Sequence, residues 1–330
     1  IEDYKVCKTA DEVWEAICQI GDSRGKFAYE IDGAVVKVNN LADREYFGAT
    51  SKVPRWAVAY KYPPEEKETV VKEIRLSVGR TGRITPTAIF DPIRLCGTTV
   101  ERATLHNQHR IDELDVRIGD TIIVRKAGEI IPEVVSVVKE KRPENAVPFK
   151  IPMICPSCGG PASREENTAD IRCNNLNCPA QLTQRILHFV GRNAMDIKGF
   201  GEAYVEALIR EGYVKDIADI YYIYKYRDEM IEKGLIGKEK NTDKLLKAIE
   251  DSKNNSIDRL ITGLGIRNIG PQAAISLMNH FKSIHKLKEA TYDELIAVKD
   301  MGDISAKAVI EFFANPVNID ILSRLEQAGV

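Results

Sequence analysis

The spacing of apolar residues predicts that residues 1–66 form a mixed α/β segment. A helical period, with apolar side chains three or four positions apart, runs over residues 11–20. Short apolar runs bounded by turn residues predict three strands, at residues 27–31, 34–38 and 55–62. Asp32-Gly33 separates the first two runs, and this dipeptide is typical of a two-residue turn. We therefore expect these two strands to form a hairpin.

A second pattern, of short strands separated by glycine, proline and aspartate, covers residues 67–146. Pro63-Pro64 and the charged run at residues 65–68 are expected to form the boundary that precedes it. Apolar runs that predict strands include residues 74–78, 87–90 and 121–124. Several short strands at this spacing are typical of a small β-barrel.

The pattern changes twice more toward the end of the chain. Residues 147–181 contain four of the seven cysteines and are too few to bury a core of their own. Residues 182–330 have a helical period that is interrupted by glycines at intervals of 36, 33 and 32 residues, namely Gly201, Gly237, Gly270 and Gly302. This near-repeat predicts tandem helix–turn–helix units. The expected fold class is a multidomain α+β protein that ends in an all-α domain.

Composition and charge narrow the class of protein. The chain is 44% hydrophobic and 29% charged, which are ordinary globular values that argue against disorder. No apolar run approaches the ~20 residues that a membrane span needs. The net charge of −2 conceals a local excess of +4 over residues 71–110 and of +5 over residues 252–288, set against −5 over residues 289–330. Local basic regions in a nearly neutral chain suit a protein that contacts phosphates at chosen places.

Four cysteines have the spacing of a zinc site: Cys155, Cys158, Cys173 and Cys178. Two close pairs joined by a loop can bring four thiolates to the corners of a tetrahedron, which zinc prefers. Disulfides and free thiols are the alternatives, and disulfides fit poorly with a chain that has no export signal. Four sulfur ligands would leave no open position, so the predicted zinc is structural.

Residues 260–281 predict two amphipathic helices joined by a glycine turn. The first should end near Leu264-Gly265, and the second should begin at Gly270-Pro271 and bury Ala274, Leu277, Met278 and Phe281. The amides of the turn and of the following helix could bind a DNA phosphate, with Arg267 nearby. This stretch resembles the helix-hairpin-helix motif, and similar stretches surround Gly201 and Gly302. The alternative is a helical bundle that binds nothing.

Two strand motifs in the first segment carry candidate chemistry. In the second of them, alternation places Ala57, Ala59 and Lys61 on one face, where small side chains leave room for a ligand. Asp32 and Lys37 belong to the first motif, and a turn at Asp32-Gly33 could let both point into one cleft. A carboxylate and lysines that converge on a cleft suit nucleotidyl transfer. Taken alone, a lysine that ends a strand is more often a solvated tip, and an aspartate before glycine is more often a turn residue.

These two motifs resemble nucleotidyl-transfer motifs of the NAD-dependent DNA ligases, the bacterial nick-sealing enzymes. Later segments resemble the same family in the same order: residues 78–86, 102–107 and 119–132 are similar to its OB-fold domain, followed by the four-cysteine finger and the hairpin repeats. The resemblance covers essentially the whole chain. It implies domains at residues 1–66 (end of the adenylation domain), 67–146 (OB fold), 147–181 (zinc finger) and 182–330 (helix-hairpin-helix).

The resemblance also implies roles for particular residues. In this family a lysine takes AMP from NAD, AMP passes to the 5′-phosphate at a nick, and the 3′-hydroxyl then displaces it with the help of magnesium. Asp32 would serve the magnesium ion, and Lys37 and Lys61 would contact AMP and its phosphate. Other implied site residues are Glu30 and Arg24, beside AMP, and Arg80 and Arg83, near DNA.

The sequence also departs from the family pattern. The nucleophilic lysine of the family lies in a Lys-x-Asp-Gly motif, and residues 30–33 read Glu-Ile-Asp-Gly instead. The domain that recognises the nicotinamide half of NAD and the BRCT domain have no counterpart, and the chain begins with Ile1. We therefore expect a fragment of a monomeric, cytoplasmic, nucleoid-associated ligase that cannot adenylate itself. The alternative is a non-catalytic repair scaffold that binds nicks or junctions.

Overall fold

The computed structural model describes residues 4–29, 31–50, 53–95, 97–127, 131–165, 168–175 and 177–330. The chain forms two compact units. The first contains residues 1–77 and 85–151, and the second contains residues 78–84 and 152–330. Among the helices that the structure describes, none combines the length and the apolar character needed to cross a bilayer.

The first unit begins with a two-stranded sheet and two helices, α1 (Ala10–Asp22), β1 (Gly33–Lys37), α2 (Leu41–Phe47) and β2 (Ala57–Lys61). The predicted helix and the predicted strands near residues 34–38 and 55–62 are confirmed. The predicted hairpin at Asp32-Gly33 is wrong, because residues 27–29 form bends and β1 pairs instead with β2 in antiparallel register. Gly33 lies within β1, where a Cβ atom would be 2.3 Å from the Tyr60 carbonyl oxygen. This glycine therefore permits a close approach of two backbones, not a turn.

The rest of the first unit is a closed five-stranded barrel, as the strand pattern predicts. Its strands are β3 (Glu66–Val78), β4 (Ile84–Leu95), β5 (Thr98–Thr104), β6 (Thr121–Ala127) and β7 (Ile131–Val137), in the order β3-β4-β5-β7-β6. The helix α3 (Gln108–Leu114), which the pattern does not predict, lies between β5 and β6. The strand β3 begins within the charged run that is expected to form the boundary, because residues 66–70 pair with β6. Glu66 and Glu68 take outward positions there, so their charges are compatible with a strand.

The turn between β3 and β4 belongs to the second unit. This tip, residues 78–84, is closed by hydrogen bonds from the Gly79 amide to the Arg83 carbonyl and from the Gly82 amide to the Gly79 carbonyl. The cysteine-rich finger adds the short antiparallel strands β8 (Ala162–Arg164) and β9 (Ile171–Cys173). The tip lies beside β9, since Arg83 bridges Arg172 and the Cys173 amide donates to the Gly82 carbonyl at 2.9 Å.

The remainder of the second unit is helical, as predicted. It contains α4 (Pro179–Val190), α5 (Glu202–Arg210), α6 (Arg227–Glu232), α7 (Glu239–Ser252), α8 (Ile257–Leu264), α9 (Pro271–Phe281), α10 (Ile284–Lys288), α11 (Tyr292–Ile296), α12 (Asp303–Ala314) and α13 (Pro316–Gln327), with a 3₁₀ segment at Asp219–Tyr226. Four contacting pairs form the repeats: α4–α5, α6–α7, α8–α9 and α11–α12. One hydrophobic cluster lies mainly under the first two pairs and another under the last two.

The hairpin predicted at residues 260–281 is confirmed in detail. The helix α8 ends at Leu264, and Gly265 follows in the left-handed conformation with φ +68°. The helix α9 begins after Gly270, with its four predicted core residues buried, namely Ala274, Leu277, Met278 and Phe281. At the end of the chain, α13 joins the two clusters, because Leu325 packs in the first and Leu322 packs against the second.

We predict that Gly82→Ala destabilises the second unit more than Gly199→Ala. Both glycines have left-handed φ, +80° and +85°, which costs another residue about 1–2 kcal/mol. A Cβ atom at position 82 would also lie 2.7 Å from the Cys173 carbonyl oxygen, whereas one at position 199 would meet no atom within 4 Å. Thermal unfolding of the two variants measures the difference. Equal shifts in Tm would show that the tip does not need its close contact with Cys173.

Candidate nucleotide, zinc and nucleic-acid sites

The pairing of β1 with β2 places the two candidate lysines on one face of a sheet. Lys37 is opposite Ala57, and Lys61 is opposite Gly33. Because directly opposed residues point to the same side, Lys37 and Lys61 share a face whose centre is the Val35–Ala59 pair. Val35 is 60% exposed. The face predicted from alternation in β2 therefore exists, and β1 extends it with a second lysine.

Asp32 lies at the end of this face, next to Lys61. Its carboxylate oxygen is 3.1 Å from the Lys61 ammonium nitrogen, and both side chains are more than half exposed. The Asp32 carbonyl accepts a hydrogen bond from the Tyr62 amide, so the start of β1 is fixed against the end of β2. An exposed ion pair of this kind contributes about 0–1 kcal/mol, and a phosphate or a cation can replace it at little cost.

Arg24 is held beside the same strand end. Its guanidinium group donates to the Pro63 carbonyl at 3.3 Å and lies over the Tyr62 ring, 5.3 Å from the ring centroid. The Tyr62 hydroxyl donates to the Ile17 carbonyl of α1, and burial raises the pKa of this tyrosine. Arg24, Asp32, Lys37 and Lys61 are thus gathered around one small sheet. The predicted nucleotide-binding residue Glu30 lies outside the described residues.

The four predicted zinc ligands form one cluster. Their sulfur atoms all lie within 4.8 Å of one another, with separations of 3.8 Å for Cys155–Cys178 and 3.6 Å for Cys158–Cys173. Sulfur atoms about 2.3 Å from a central zinc ion at tetrahedral corners would be about 3.8 Å apart. The separations fit zinc and are far longer than the roughly 2.05 Å of a disulfide bond. The cluster is a four-cysteine zinc site.

The backbone around the cysteines is shaped for thiolate ligands. The Cys155 amide donates to the Gly160 carbonyl, and the Gly159 amide donates to the Cys155 carbonyl, which forms the tight knuckle. The Asn175 side chain and the Gly160 backbone lower the pKa of Cys158 to about 6. Burial raises the pKa of Cys178, but this residue is the N-cap of α4, where the helix end favours negative charge. The last ligand thereby ties the zinc site to the first hairpin repeat.

The three predicted DNA-binding arginines lie around one junction in the second unit, where the tip meets the finger and the turn between α8 and α9. Arg80 and Arg83 come from the tip, and Arg267 comes from the turn between α8 and α9. The Arg80 guanidinium donates to the Gly265 carbonyl at 2.9 Å, a contact between residues 185 positions apart. Arg83 is 3.0 Å from Asp170, and Arg267 is 2.9 Å from Glu165, both of which are finger residues.

Arg80 and His188 together occupy the C-terminal end of α8. Burial lowers the pKa of Arg80, and burial is also the largest cause that lowers the pKa of His188, whose ring is therefore neutral at pH 7. The His188 Nε2 is 2.8 Å from the Thr262 carbonyl, which can only accept, so this nitrogen carries the proton. Donors at the last carbonyls of a helix satisfy groups that have no partner within it. The turn that leads to Gly270 is thus anchored from two sides.

Sequence reasoning missed two residues of this junction, Arg172 and Glu165. Arg172 donates to the Thr81 carbonyl at 3.1 Å and to the Thr81 hydroxyl at 2.8 Å, and its Nε donates to Glu165 at 2.7 Å. Glu165 also accepts from Arg267, and these two arginines, Arg172 first, lower the pKa of its carboxyl group. The charged residues between Cys158 and Cys173 show no local pattern from which these long-range partners could be predicted.

Three of the punctuating glycines share one structural position. Gly201, Gly270 and Gly302 are the N-caps of α5, α9 and α12, and each has an extended backbone that any residue can adopt. A Cβ atom at any of them would meet no protein atom within 4 Å. The folded chain therefore gives no steric reason for glycine here, and the first amides of each helix are approachable from outside. Gly237 differs, because it precedes the N-cap Lys238 and has φ +90°.

Comparison with protein-family models matches four successive parts of the chain. They are the adenylation domain of NAD-dependent DNA ligase (residues 1–65), its OB-fold domain (68–146), its C4 zinc finger domain (155–180) and a helix-hairpin-helix motif (259–322). The order of these matches is the order of the segments in the structure.

Curated relatives agree with the family models. The chain is 52% identical over 328 residues to a DNA ligase of Clostridium kluyveri and 52% identical over 327 residues to one of Acetivibrio thermocellus, in each case over 99% of the chain. It is 46% identical over 329 residues to a DNA ligase of Clostridioides difficile. The alignments cover 50%, 49% and 48% of these three proteins, so the chain spans about half the length of the curated relatives it matches.

We predict one tightly bound zinc ion per chain, and its loss in Cys173→Ser. A serine hydroxyl is a poor replacement for a thiolate, and this small finger depends on the metal for its folding. Cys18→Ser is the matched control, because Cys18 is an exposed cysteine outside the cluster. Metal analysis of the purified proteins measures the stoichiometry. Folded wild-type protein without zinc would contradict the assignment.

Proposed function

Because the chain belongs to the NAD-dependent DNA ligase family, we propose that the protein it represents seals nicks in duplex DNA between a 3′-hydroxyl and a 5′-phosphate. The observation that carries this proposal is the shared face of β1 and β2, on which Lys37 and Lys61 lie together with Asp32. That face lies in the segment that matches the ligase adenylation domain. A repair scaffold would need the finger and the hairpins but not this face.

In this proposal the residues of the face act on the phosphates of the nucleotide. Lys37 and Lys61 neutralise negative charge on the adenylate, and Arg24 adds a third cation near the end of β2. Asp32 offers carboxylate oxygens, which a magnesium ion prefers, and such an ion would further neutralise the phosphates. Val35 and Ala59 provide an apolar floor between the lysines. Glu30 completes the proposed set for AMP.

The chain alone is not proposed to adenylate itself. Its 330 residues contain no Lys-x-Asp-Gly sequence, the motif that carries the nucleophile in this family. The residues present bind and orient the nucleotide and the nicked DNA, whereas the lysine that is adenylated must come from elsewhere in the full-length protein. We also propose that this protein is monomeric and works in the bacterial cytoplasm at the nucleoid.

The hairpin domain and the barrel tip are proposed to grip the DNA backbone. Amides at the N-termini that follow Gly201, Gly270 and Gly302 would receive phosphates, and Arg80, Arg83 and Arg267 would add positive charge. The first turn of α9 contains no acidic residue, whereas those of α5 and α12 contain Glu202 and Asp303. The N-terminus of α9, in the α8–α9 hairpin, is therefore the most favourable of these three sites for an anion.

We propose domain boundaries near residues 66, 146 and 181. One segment of the barrel domain packs outside that domain. The tip at residues 78–84 is part of the barrel domain in sequence but packs with the finger and the hairpins. Zinc in this arrangement is structural, because four thiolates leave no position for a substrate.

We predict that Lys61→Ala abolishes nick sealing by the full-length enzyme and leaves its affinity for nicked DNA largely unchanged. The substitution removes a cation from the proposed nucleotide face, while the hairpins and the tip keep their contacts. Lys8→Ala is the control, since Lys8 is an exposed lysine outside β1 and β2. Sealing of a labelled nicked duplex measures activity. Wild-type sealing by the Lys61 variant would refute the role of this face.

We predict that Gly270→Ala weakens DNA binding by this chain and changes its unfolding free energy by no more than about 1 kcal/mol. The added methyl group meets no protein atom but lies at the N-terminus where a phosphate would approach. Ser283→Ala replaces the N-cap of α10 and serves as the control for the effect of an N-cap substitution on stability. Titration with a nicked duplex at fixed salt gives the affinities. Equal affinity in the wild type and the Gly270 variant would exclude this amide site.

A further inference from the structure

Two zinc-finger residues connect the two segments that carry the proposed arginine contacts to DNA. Arg172 holds the tip through its two hydrogen bonds to Thr81, and its Nε holds Glu165. The other oxygen of Glu165 accepts from Arg267, in the turn before α9. One chain of polar contacts therefore runs from the tip through the finger to the third hairpin.

The middle of this chain of contacts is shielded from solvent, and its far end is not. The side chains of Arg172 and Glu165 are 22% and 23% exposed, whereas the side chain of Arg267 is 64% exposed. Exposure leaves the remaining donors of Arg267 accessible to a phosphate while one donor is held by the carboxylate. Arg172 and Glu165 are in turn too enclosed to serve mainly as surface charges.

The backbone supports the same arrangement. Arg172 lies in β9 and forms an antiparallel bridge with Arg83 of the tip. Asp170 approaches both arginines, at 3.0 Å from Arg83 and 3.5 Å from Arg172. The position of Arg83 is therefore fixed by the backbone of β9 and by the side chain of Asp170, the residue before β9.

We propose that Arg172 is a positioning residue for DNA binding, which orders the tip directly and orders Arg267 through Glu165. This inference rests on the proposed DNA-binding function of the second unit. The physical reason is pre-organisation, because long arginine side chains that are ordered before binding lose less conformational freedom when they meet a phosphate. A guanidinium group suits Thr81 and Glu165 together, because its donors lie on separate nitrogens in a fixed fork, whereas a lysine ammonium has its three donors on one atom.

For neutralisation of Glu165, this proposal and simple electrostatics predict opposite changes in DNA affinity. Neutralising a carboxylate near a proposed DNA surface should strengthen DNA binding if only the summed charge matters. If Glu165 positions Arg267, the same change weakens binding, because the arginine is no longer held toward the phosphate.

The first experiment compares Arg172→Gln and Arg172→Lys in the zinc-loaded 330-residue chain. Affinity for a nicked duplex is measured from low to moderate salt, because each phosphate contact adds about 0.9 to the slope of log K against log salt. We expect both variants to bind about tenfold or more weakly, and the slope to fall by the equivalent of about two phosphate contacts. The substitution removes the hydrogen bonds by which Arg172 orders the tip that carries Arg83 and the Glu165 carboxylate that holds Arg267. Arg164→Gln, in the neighbouring strand β8, is the control. Its slope should fall by the equivalent of at most one phosphate contact.

Zinc content and thermal unfolding of each variant accompany these titrations. Wild-type affinity in Arg172→Lys would show that only the charge at position 172 matters and would overturn the proposal. A slope loss in Arg172→Gln no larger than that of Arg164→Gln would also overturn it. If wild-type chain fails to bind the duplex at all, the proposed DNA-binding function itself is wrong.

The second experiment uses Glu165→Gln, which leaves Arg172 and the zinc ligands in place and so tests the inference even if Arg172 variants fold poorly. We expect affinity for the nicked duplex to fall a few-fold. The slope of log K against log salt should fall by about 0.9, the equivalent of one phosphate contact. Glu211→Gln is matched in charge and exposure, since Glu211 is 29% exposed and 2.9 Å from Lys233, at the end of α5 opposite Gly201. Tighter binding by Glu165→Gln, or binding equal to that of Glu211→Gln, would refute positioning through Glu165.

Discussion

Within the second unit, a backbone hydrogen bond from the amide of Cys173 to the carbonyl of Gly82 joins the zinc finger to the barrel tip. Cys173 is also a ligand of the zinc site, so the metal that orders the finger also orders the strand to which the barrel tip attaches. Gly82 must be glycine, because its left-handed φ and the nearby Cys173 carbonyl leave no room for a side chain. The structural metal thereby fixes residues that lie nearly a hundred positions earlier in the chain.

The junction built on this bond explains how a nearly neutral chain can present a local cationic surface. Arg80 is held by the Gly265 carbonyl, and Arg83 and Arg267 are held by acidic residues of the finger. Charges supplied by distant segments are concentrated, while the acidic partners restrain their directions. Recognition of a DNA backbone needs placement of charge more than its total amount.

The proposed nucleotide face has a different physical basis. Two short strands with small residues place Lys37 and Lys61 on one side of a sheet, and the close backbone approach at Gly33 brings Asp32 beside Lys61. Lys61 and Asp32 form an exposed ion pair, which contributes only about 0–1 kcal/mol. The contacts between the finger and the tip are more enclosed, since the side chains of Arg172 and Glu165 are 22% and 23% exposed.

The sequence by itself determined the modules of this protein: the barrel, the four-cysteine site, and the α8–α9 hairpin with its glycine turn and buried stripe. Each can be predicted from the spacing of residues close together in the chain, because that spacing determines which side chains share one face of a helix or strand. Only the tertiary structure decided that β1 pairs with β2 instead of forming a hairpin at Asp32-Gly33, and that the tip joins the second unit. It alone brought Glu165 to Arg267, 102 positions away. Such pairs depend on the packing of segments that are distant in the chain, so the local pattern of polar and apolar residues does not predict them.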